Sequence, residues 1–257
     1  MNVGLSTLFS LGEPFPSLVR RLKEVDVKCV EVVDEGFHAL NRKRVDVLKE
    51  IAKLNGVEYT VHAPFNDINI ASPNPVLQRV MLKRMEKSIV HTRQLNGRRW
   101  IFHSGLKTAL SRFYPNLDWQ LNLRSVRTLM TIARKHDVEI SIENTPEPFP
   151  FLLRSVQDFA LFYNELGENI GMTLDVGHAN INSQTLSFIE KFSDRVVHVH
   201  VSDNEGNYDS HLGIGHGKVD WQEVADALKR INYRGIVILE SVENVEESLQ
   251  TLHRLFD

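Results

Sequence analysis

Eight short apolar segments alternate with eight amphipathic segments along the chain of 257 residues. The apolar segments are rich in β-branched residues and almost continuously hydrophobic, which is typical of parallel strands covered on both faces. This alternation therefore predicts a sheet of parallel strands enclosed by helices. The strand candidates span residues 2–6, 29–34, 57–62, 99–104, 138–143, 170–175, 195–201 and 235–240.

The amphipathic segments carry apolar residues at three- and four-residue spacing, which predicts helices with one buried face. Ser155, three residues before Asp158, and Asp220, directly before Trp221, are typical helix N-caps. The helix candidates span residues 16–25, 45–54, 75–95, 119–136, 155–166, 183–192, 221–231 and 245–256.

Eight successive strand–helix units are the number that closes a (β/α)8 barrel. We therefore predict an α/β fold with a single TIM-barrel domain over residues 1–257. An open, doubly wound sheet built from the same units is the alternative. No G-x-G-x-x-G phosphate loop follows the first strand, which disfavours the dinucleotide-binding form of that alternative.

Composition narrows the class of protein. Hydrophobic residues make up 42% of the chain, enough for a sizeable core, and the formal net charge of −3 gives no overall basic footprint for nucleic acid. The single cysteine, Cys29, rules out an internal disulfide, which fits a reducing compartment. No signal-peptide pattern or membrane-length apolar run is present. We therefore predict a cytoplasmic protein without a membrane anchor.

Metal-ligating residue types recur where the strand candidates end. In a barrel, the carboxyl ends of all strands meet at one mouth, where reactive residues lie. His178 follows the sixth strand closely, and Asp209 and His211 lie in the loop after the seventh. The residues at the ends of strands three to eight are His62, His103, Glu143, Asp175, His200 and Glu240.

Imidazole and carboxylate groups are common ligands of zinc, manganese and related cations. A single such residue at a strand end is ordinarily a cap or a hydrogen-bonded surface group. A ring of them is different, because buried carboxylates held close together repel unless a cation lies between them. We therefore predict a divalent metal ion, either zinc, manganese, magnesium or cobalt, at the mouth.

The other histidines are expected to have lesser roles. His198 shares a strand face with His200 but lies one layer deeper, so we expect it behind a ligand or in the core. His216 is expected to line the wall of the site. No role is assigned to His38, His91, His136 or His253.

The glycine-rich segment "HLGIGHGK" at 211–218 has only a superficial likeness to a phosphate loop. No strand directly precedes it, and no helix begins at Lys218. We predict a close-packed loop whose glycines let the backbone approach the site. Lys218 remains a residue that could meet an anion.

These motifs resemble the xylose isomerase-like TIM-barrel superfamily, which includes sugar isomerases, sugar epimerases and endonuclease IV-type AP endonucleases. The resemblance covers nearly the whole chain, from "VHAPF" to "ILES", and includes the H-L-x-x-G-x-G loop at 211–217. For the isomerase and epimerase branch it implies one metal ion, with two glutamates that move protons and with His178 touching a substrate oxygen. The implied ligands are Glu143, Asp175, His200 and Glu240.

For the endonuclease IV branch, the resemblance implies three zinc ions. The flanking motifs differ from that branch, because "LDVGHANIN" is not a D-T-C-H segment and "HVSDNEGNYDSH" lacks a basic S-R-x-D-R-H run. The ketose 3-epimerase pattern is incomplete too, since "SDNEGNY" has no arginine after the strand-seven histidine. The nine implied zinc ligands are His62, His103, Glu143, Asp175, His178, His200, Asp209, His211 and Glu240.

Three functions remain open from the sequence. The leading one is a divalent-metal-dependent sugar or sugar-phosphate isomerase or epimerase, whose substrate is a small polyhydroxylated carbonyl compound. Glu143 and Glu240 would exchange protons with it through an enediolate. The second is an endonuclease IV-type zinc phosphodiesterase with nucleic acid as partner. The third is a non-catalytic metal-binding barrel or another reaction class, such as a dehydratase. A closed, neutral pocket would favour the first, and a basic groove as wide as DNA the second.

Overall fold

The computed structural model describes residues 1–256. Eight parallel strands pair in sequence order, and the eighth pairs with the first, which closes a barrel. The predicted (β/α)8 TIM barrel is confirmed. The strands are β1 Asn2–Ser6, β2 Cys29–Val33, β3 Glu58–His62, β4 Arg99–His103, β5 Glu139–Glu143, β6 Gly171–Asp175, β7 Val196–Val201 and β8 Ile236–Leu239.

Helices surround the barrel, and each predicted helix has a counterpart. No helix within residues 1–256 combines the length and the apolar character that crossing a bilayer requires. The helices are α1 Phe15–Glu24, α2 Arg42–Asn55, α3 Pro75–Gln94, α4 Leu117–His136, α5 Val156–Leu166, α6 Val176–Ile181, α7 Thr185–Lys191, α8 Trp221–Arg230 and α9 Val245–Phe256.

Helix α6 has no counterpart among the predicted helices. It has six residues and begins directly where β6 ends, so it is too short to show a helical hydrophobic period. The side chain of Asp175 caps it by accepting a hydrogen bond of 2.6 Å from the backbone N–H of His178. This cap holds His178 beside the strand ends.

Both predicted N-caps are present. Ser155 and Asp158 form a capping box at the start of α5, and Asp220 accepts a hydrogen bond from the backbone N–H of Glu223 at the start of α8. These caps fix where the helices begin relative to the strand ends.

The barrel interior changes from apolar to polar along its axis. Cys29, Ile236 and Ile238 form a small apolar cluster, in which Cys29 and Ile236 are the first residues of β2 and β8. His198 and His200 of β7 contact buried carboxylates inside the barrel. The valines that alternate with them, such as Val199 and Val201, belong to the main hydrophobic core. One face of β7 therefore packs into the hydrophobic core, and the other carries the histidines that contact the carboxylates.

The glycine-rich loop after β7 is folded around a carboxylate of its own chain. Oxygens of Asp203 accept hydrogen bonds from the backbone N–H groups of Gly215 (2.9 Å) and Val219 (3.1 Å) and from the indole of Trp221 (2.8 Å). A Cβ added at Gly217 would lie 2.3 Å from an Asp203 oxygen. The loop is close-packed as predicted, and its N–H groups are bonded within the chain: that of Gly215 to Asp203, that of Ile214 to Ser248, and those of His216 and Lys218 to backbone carbonyls.

Replacing Asp203 with alanine should destabilise the protein strongly. The substitution leaves several buried donors without an acceptor, so we expect the free energy of unfolding to fall by about 2–4 kcal/mol. Urea unfolding followed by circular dichroism measures the change.

The matched control is Asp220→Ala, which removes an exposed cap of α8. We expect that variant to lose only about 1 kcal/mol. Equal losses in the two variants would show that Asp203 does not organise the loop.

Candidate metal centre at the barrel mouth

The structure brings all nine sequence-predicted residues together at the mouth formed by the carboxyl ends of the strands. They fall into three groups, and within each group potential ligand atoms lie within 4.8 Å of one another. The strand group consists of His62, His103 and Glu143; the four-residue group consists of Glu143, Asp175, His200 and Glu240; and the loop group consists of His178, Asp209 and His211.

Glu143 lies at the centre of these groups because its two oxygens have different neighbours. Oε2 lies 3.3 Å from Nε2 of both His62 and His103, and Oε1 lies 3.3 Å from Nδ1 of His200. Nδ1 of His62 donates a hydrogen bond of 2.8 Å to the carbonyl of Ala63, so Nε2 is the nitrogen that faces Glu143. Glu143 is thus shared by the strand group and the four-residue group.

The four-residue group is the most deeply buried of the three. Asp175 and His200 are register partners in β6 and β7, and both side chains are inaccessible to solvent. Nδ1 of His200 lies 3.5 Å from Oε2 of Glu240, which follows β8 directly. Oδ1 of Asp175 caps α6, whereas its Oδ2 has no hydrogen-bond partner among the described residues.

The loop group lies nearer to solvent. Oδ2 of Asp209 is 3.2 Å from Nε2 of His178 and 3.1 Å from Nε2 of His211. Nδ1 of His178 donates to the carbonyl of Asn144 at 2.8 Å, so the opposite nitrogen is the one directed to Asp209. A loop and a short helix therefore supply this group, whereas the other two groups come from strand ends.

The buried polar atoms of the mouth fit a divalent cation. Both oxygens of Glu143, Oδ2 of Asp175 and Nδ1 of His200 are buried, and within residues 1–256 none of them has a hydrogen-bond partner. Such atoms are costly to bury unless something satisfies them. A mixed oxygen and imidazole donor set suits zinc, manganese or cobalt.

The pKa values of the mouth carboxylates shift in different directions, because burial and neighbouring carboxylates raise them whereas neighbouring imidazoles lower them. Burial alone would raise the pKa of Glu143, but His200 and His103 outweigh it and hold that pKa well below its usual range. Burial raises the pKa of Asp175 to about 7 and also raises the pKa of Glu240, with Glu143 adding to both shifts. The chain thus resists ionising all its mouth carboxylates together.

The same carboxylates shift the pKa values of the neighbouring imidazoles. Burial would lower the pKa of His62 and His211, but Glu143 and Asp209 respectively outweigh it and raise each pKa to about 9. The pKa of His103 is lowered, because burial dominates there. A cation that binds these imidazoles must first displace their protons.

Glu31 is a site residue that the sequence analysis missed. It is fully buried in the middle of β2, and its Oε2 accepts hydrogen bonds from Thr60 (2.8 Å) and His198 (3.0 Å). Its Oε1 lies 2.9 Å from Nε2 of His200. The signal was an acidic residue inside the β-branched run "CVEVV". His198 does lie one layer below His200, and burial lowers its pKa to about 4, so it is neutral.

A cavity of about 320 Å³ opens above these groups, which is the size of a small-molecule site. Its floor includes Glu143, Glu240 and His178, and no lysine or arginine is among its described lining residues. One side is apolar, where the ring of Phe65 meets His62 edge-on at 5.5 Å. The apolar lining consists of Leu8, Val33, Phe65, Pro146, Phe149 and Phe151.

The expectation that His216 lines this wall is wrong. Its ring is 41% exposed and lies 3.5 Å from Glu247 of α9, because the loop turns outward around Asp203 before reaching it. Lys218 is also outside the cavity and pairs with Glu205 at 3.1 Å. Of the histidines without an assigned role, His38 and His91 are buried away from the mouth.

Comparison with known proteins agrees with this architecture. Residues 19–255 match the sequence model of the xylose isomerase-like TIM-barrel family. The uncharacterized protein MJ1311 of Methanocaldococcus jannaschii is 29% identical over 98% of this chain and 87% of its own length. D-psicose 3-epimerase of Ruminiclostridium cellulolyticum is 24% identical over 86% of this chain and 76% of its own. A crystal structure of a D-tagatose 3-epimerase-like protein superposes with a TM-score of 0.93, at 28% identity, over 99% and 97% of the two chains.

In chelator-treated protein, we expect the free energy of unfolding to fall as the pH rises from 6.5 to about 9. His62 and His211 bind protons more tightly in the folded chain, with pKa values of about 9 against the ordinary 6.5. That stabilisation is complete below pH 6.5 and is lost as the pH passes through about 9. Excess Mn²⁺ should reduce the fall, because the cation binds the deprotonated imidazoles.

Urea unfolding at several pH values, with chelator and with Mn²⁺, measures both effects. His211→Asn should weaken the pH dependence, whereas His136→Asn, at the end of α4 far from the mouth, should leave it unchanged. Identical pH profiles with and without the cation would contradict the assignment of these imidazoles to a metal centre.

Proposed function

Because the chain belongs to the xylose isomerase-like TIM-barrel family, we propose that it is a divalent-metal-dependent epimerase or isomerase of a small polyhydroxylated carbonyl compound. One observation carries the proposal. Two buried glutamates, Glu143 and Glu240, come from distant strands and approach the same imidazole nitrogen of His200, at 3.3 and 3.5 Å. Epimerisation next to a carbonyl uses one group to remove a proton from a carbon and a second to return it on the other face, and isomerisation can use the same pair.

The four-residue group, Glu143, Asp175, His200 and Glu240, would hold the cation, which would polarise the carbonyl and the adjacent hydroxyl of the substrate. The lowered pKa of Glu143 keeps its carboxylate ionised, so we assign it as the acceptor of the substrate's carbon-bound proton. The raised pKa of Glu240 favours it as the donor of the returning proton. The reaction then passes through an enediolate, and the reverse reaction exchanges the two roles.

His178 is proposed to contact a substrate oxygen. It lines the cavity, and its Nδ1 donates to the carbonyl of Asn144, so Nε2 is the nitrogen that a substrate oxygen would share with Asp209. Asp209 lies 3.2 Å from that nitrogen and favours its protonated form. A donor held in this way can bind a substrate hydroxyl or carbonyl oxygen.

The charge of the cavity favours an unphosphorylated substrate over a sugar phosphate. Phosphate is ordinarily bound by arginine, lysine or backbone N–H groups at a helix start. The described lining of this cavity includes neither arginine nor lysine, and the N–H groups of the glycine loop at Ile214, Gly215, His216 and Lys218 are already hydrogen-bonded within the chain. The phenylalanine side offers an apolar surface to the C–H face of a sugar.

The single buried cysteine fits the cytoplasmic location that we propose for the enzyme.

An endonuclease IV-type zinc phosphodiesterase is the second candidate. The specific observation in its favour is that the nine residues form three potential ligand groups, two of which share Glu143. Nucleic-acid binding, however, depends on neutralising phosphates with lysine and arginine. The small cavity without such residues favours the epimerase or isomerase.

Glu240→Gln should abolish turnover with little change in fold. The substitution keeps the size of the side chain but removes its charge and basicity, so we expect turnover to drop by about 10²–10⁴-fold and metal binding to weaken. The assay offers free ketopentoses and ketohexoses to the Mn²⁺- or Co²⁺-loaded protein in D2O, with NMR detection of new sugars and of deuterium on carbon.

Glu243→Gln is the matched control, because Glu243 is exposed three positions further along the chain. It should retain full activity. Undiminished activity in Glu240→Gln would remove Glu240 from the mechanism, and absence of both new sugars and deuterium exchange across the panel would contradict the proposed function.

Metal content and nuclease activity separate the two candidates. We expect one tightly held divalent ion per chain, with any others weaker, and no cleavage of DNA containing an abasic site. An epimerase or isomerase needs a cation only between its two glutamates, whereas a nuclease needs the cluster to neutralise a phosphate transition state. Elemental analysis and an abasic oligonucleotide assay measure the two properties. Three stoichiometric zinc ions with strand cleavage, lost in Asp209→Ala, would establish the nuclease instead.

A further inference from the structure

A network of polar side chains lies inside the barrel directly below the candidate metal centre. Its members are Glu31 of β2, Thr60 of β3 and His198 of β7, and all three side chains are buried. Glu31 and Thr60 are register partners on adjacent strands, so their side chains share one level of the interior. We call Glu31, Thr60 and His198 the barrel-core network.

The barrel does not need this network to close. Cys29 lies two residues before Glu31 on the same face of β2, and with Ile236 and Ile238 of β8 it forms an apolar cluster, so apolar residues fill neighbouring positions of the interior. A buried carboxylate is expensive to desolvate, and an apolar residue of similar volume is often as stable or more so. The presence of Glu31 at this level therefore calls for a role other than stability.

The two carboxylate oxygens of Glu31 contact different neighbours. Oε2 accepts the hydroxyl hydrogen of Thr60 at 2.8 Å and the Nε2 hydrogen of His198 at 3.0 Å. These two bonds fix the plane of the carboxylate, which directs Oε1 at Nε2 of His200, 2.9 Å away. The two atoms are at ion-pair distance, and neither has a hydrogen-bond partner among the described residues.

His200 links the barrel-core network to the four-residue group. Its Nδ1 lies 3.3 Å from Glu143 and 3.5 Å from Glu240, while its Nε2 is beside Glu31. An imidazole that binds a cation through one nitrogen carries its hydrogen on the other, and a carboxylate acceptor for that hydrogen fixes the ring and makes it a stronger ligand.

We propose that Glu31 is a positioning residue that holds His200 with Nδ1 facing the cation and thereby sets the cation affinity of the four-residue group. The inference rests on the proposed metal-dependent function and adds a residue that no strand-end pattern contains. Glu31 does not touch the cavity, so it acts through His200 and not on the substrate.

A cation within the network itself is the competing interpretation. Ligand atoms of Glu31, His198 and His200 also lie within 4.8 Å of one another. Oε2 of Glu31 and Nε2 of His198, however, are already hydrogen-bonded to each other, and Thr60 occupies a further position at Oε2. A cation there would have to break bonds that satisfy buried groups, which favours the positioning role.

The test compares cation binding by wild-type protein and by Glu31→Gln, with Mn²⁺ and Co²⁺ as probes in competition with a chromophoric chelator. We expect Glu31→Gln to bind about 10–100-fold more weakly, the usual effect of losing an outer partner of a ligand. Without cation, the variant should still fold, as circular dichroism would show, because the amide keeps the size of the side chain. A purely structural role would instead lower the melting temperature and leave the affinity unchanged.

Thr60→Val is the second variant and keeps the charge of Glu31. It frees the carboxylate to turn, so affinity should fall in the same direction but by less, and the Co²⁺ absorption spectrum should change. Glu58→Gln, exposed on the same strand as Thr60, is the control and should bind like wild type.

The outcomes separate the two proposals. If wild-type protein binds neither cation, the proposed function fails. If wild type binds one ion tightly and both Glu31→Gln and Thr60→Val bind it equally well, the function stands and the role of Glu31 is overturned. Loss of one of two ions in Glu31→Gln, with the other unaffected, would establish the network as a cation site and also overturn the positioning role.

Discussion

The carboxylates at the barrel mouth impose the constraint on which the rest of the site depends. Glu143, Asp175 and Glu240 are almost completely buried around one imidazole, that of His200. Like charges at such distances in a water-poor region repel strongly, so either protons or a cation must lie between them. The chain responds to this constraint with raised pKa values at Asp175 and Glu240 and with proton-holding imidazoles nearby. In the proposed function, a divalent cation would replace those protons with a charge that can also activate a carbonyl.

The barrel makes this arrangement possible because the two faces of each strand, and successive positions along it, carry residues with different roles. Alternate residues of β7 point outward into the main hydrophobic core and inward into the barrel. Inside the barrel, apolar residues are followed by the barrel-core network and then by the candidate metal-ligating groups at the mouth. Each strand therefore supplies both stability and chemistry without conflict. Glu31 and His198 form the intermediate level, where a hydrogen-bonded carboxylate supports a ligand from behind.

Much of this was available from the sequence, because strands have a two-residue period and parallel strands end at one mouth. His62, Glu143 and His200 could be placed together on that basis alone. Glu31 was missed because the reasoning considered strand ends and not strand interiors. Helix α6 escaped because it is too short for a hydrophobic period, and His216 was misplaced because the position of a loop depends on contacts such as those of Asp203. The phenylalanines that line the cavity, Phe65, Phe149 and Phe151, also come from loops. Hydrophobic periodicity in the sequence does not predict where a loop lies.

Anomalous diffraction tests the central claim most directly, since it locates a cation instead of counting it. Crystals grown with Co²⁺ or Mn²⁺ would be measured on both sides of the metal absorption edge. The account predicts that the strongest anomalous peak lies within about 2.0–2.3 Å of ligand atoms of Glu143, Asp175, His200 and Glu240. Folded protein at saturating cation with no peak at the mouth, or with its strongest peak away from these four residues, would contradict the account.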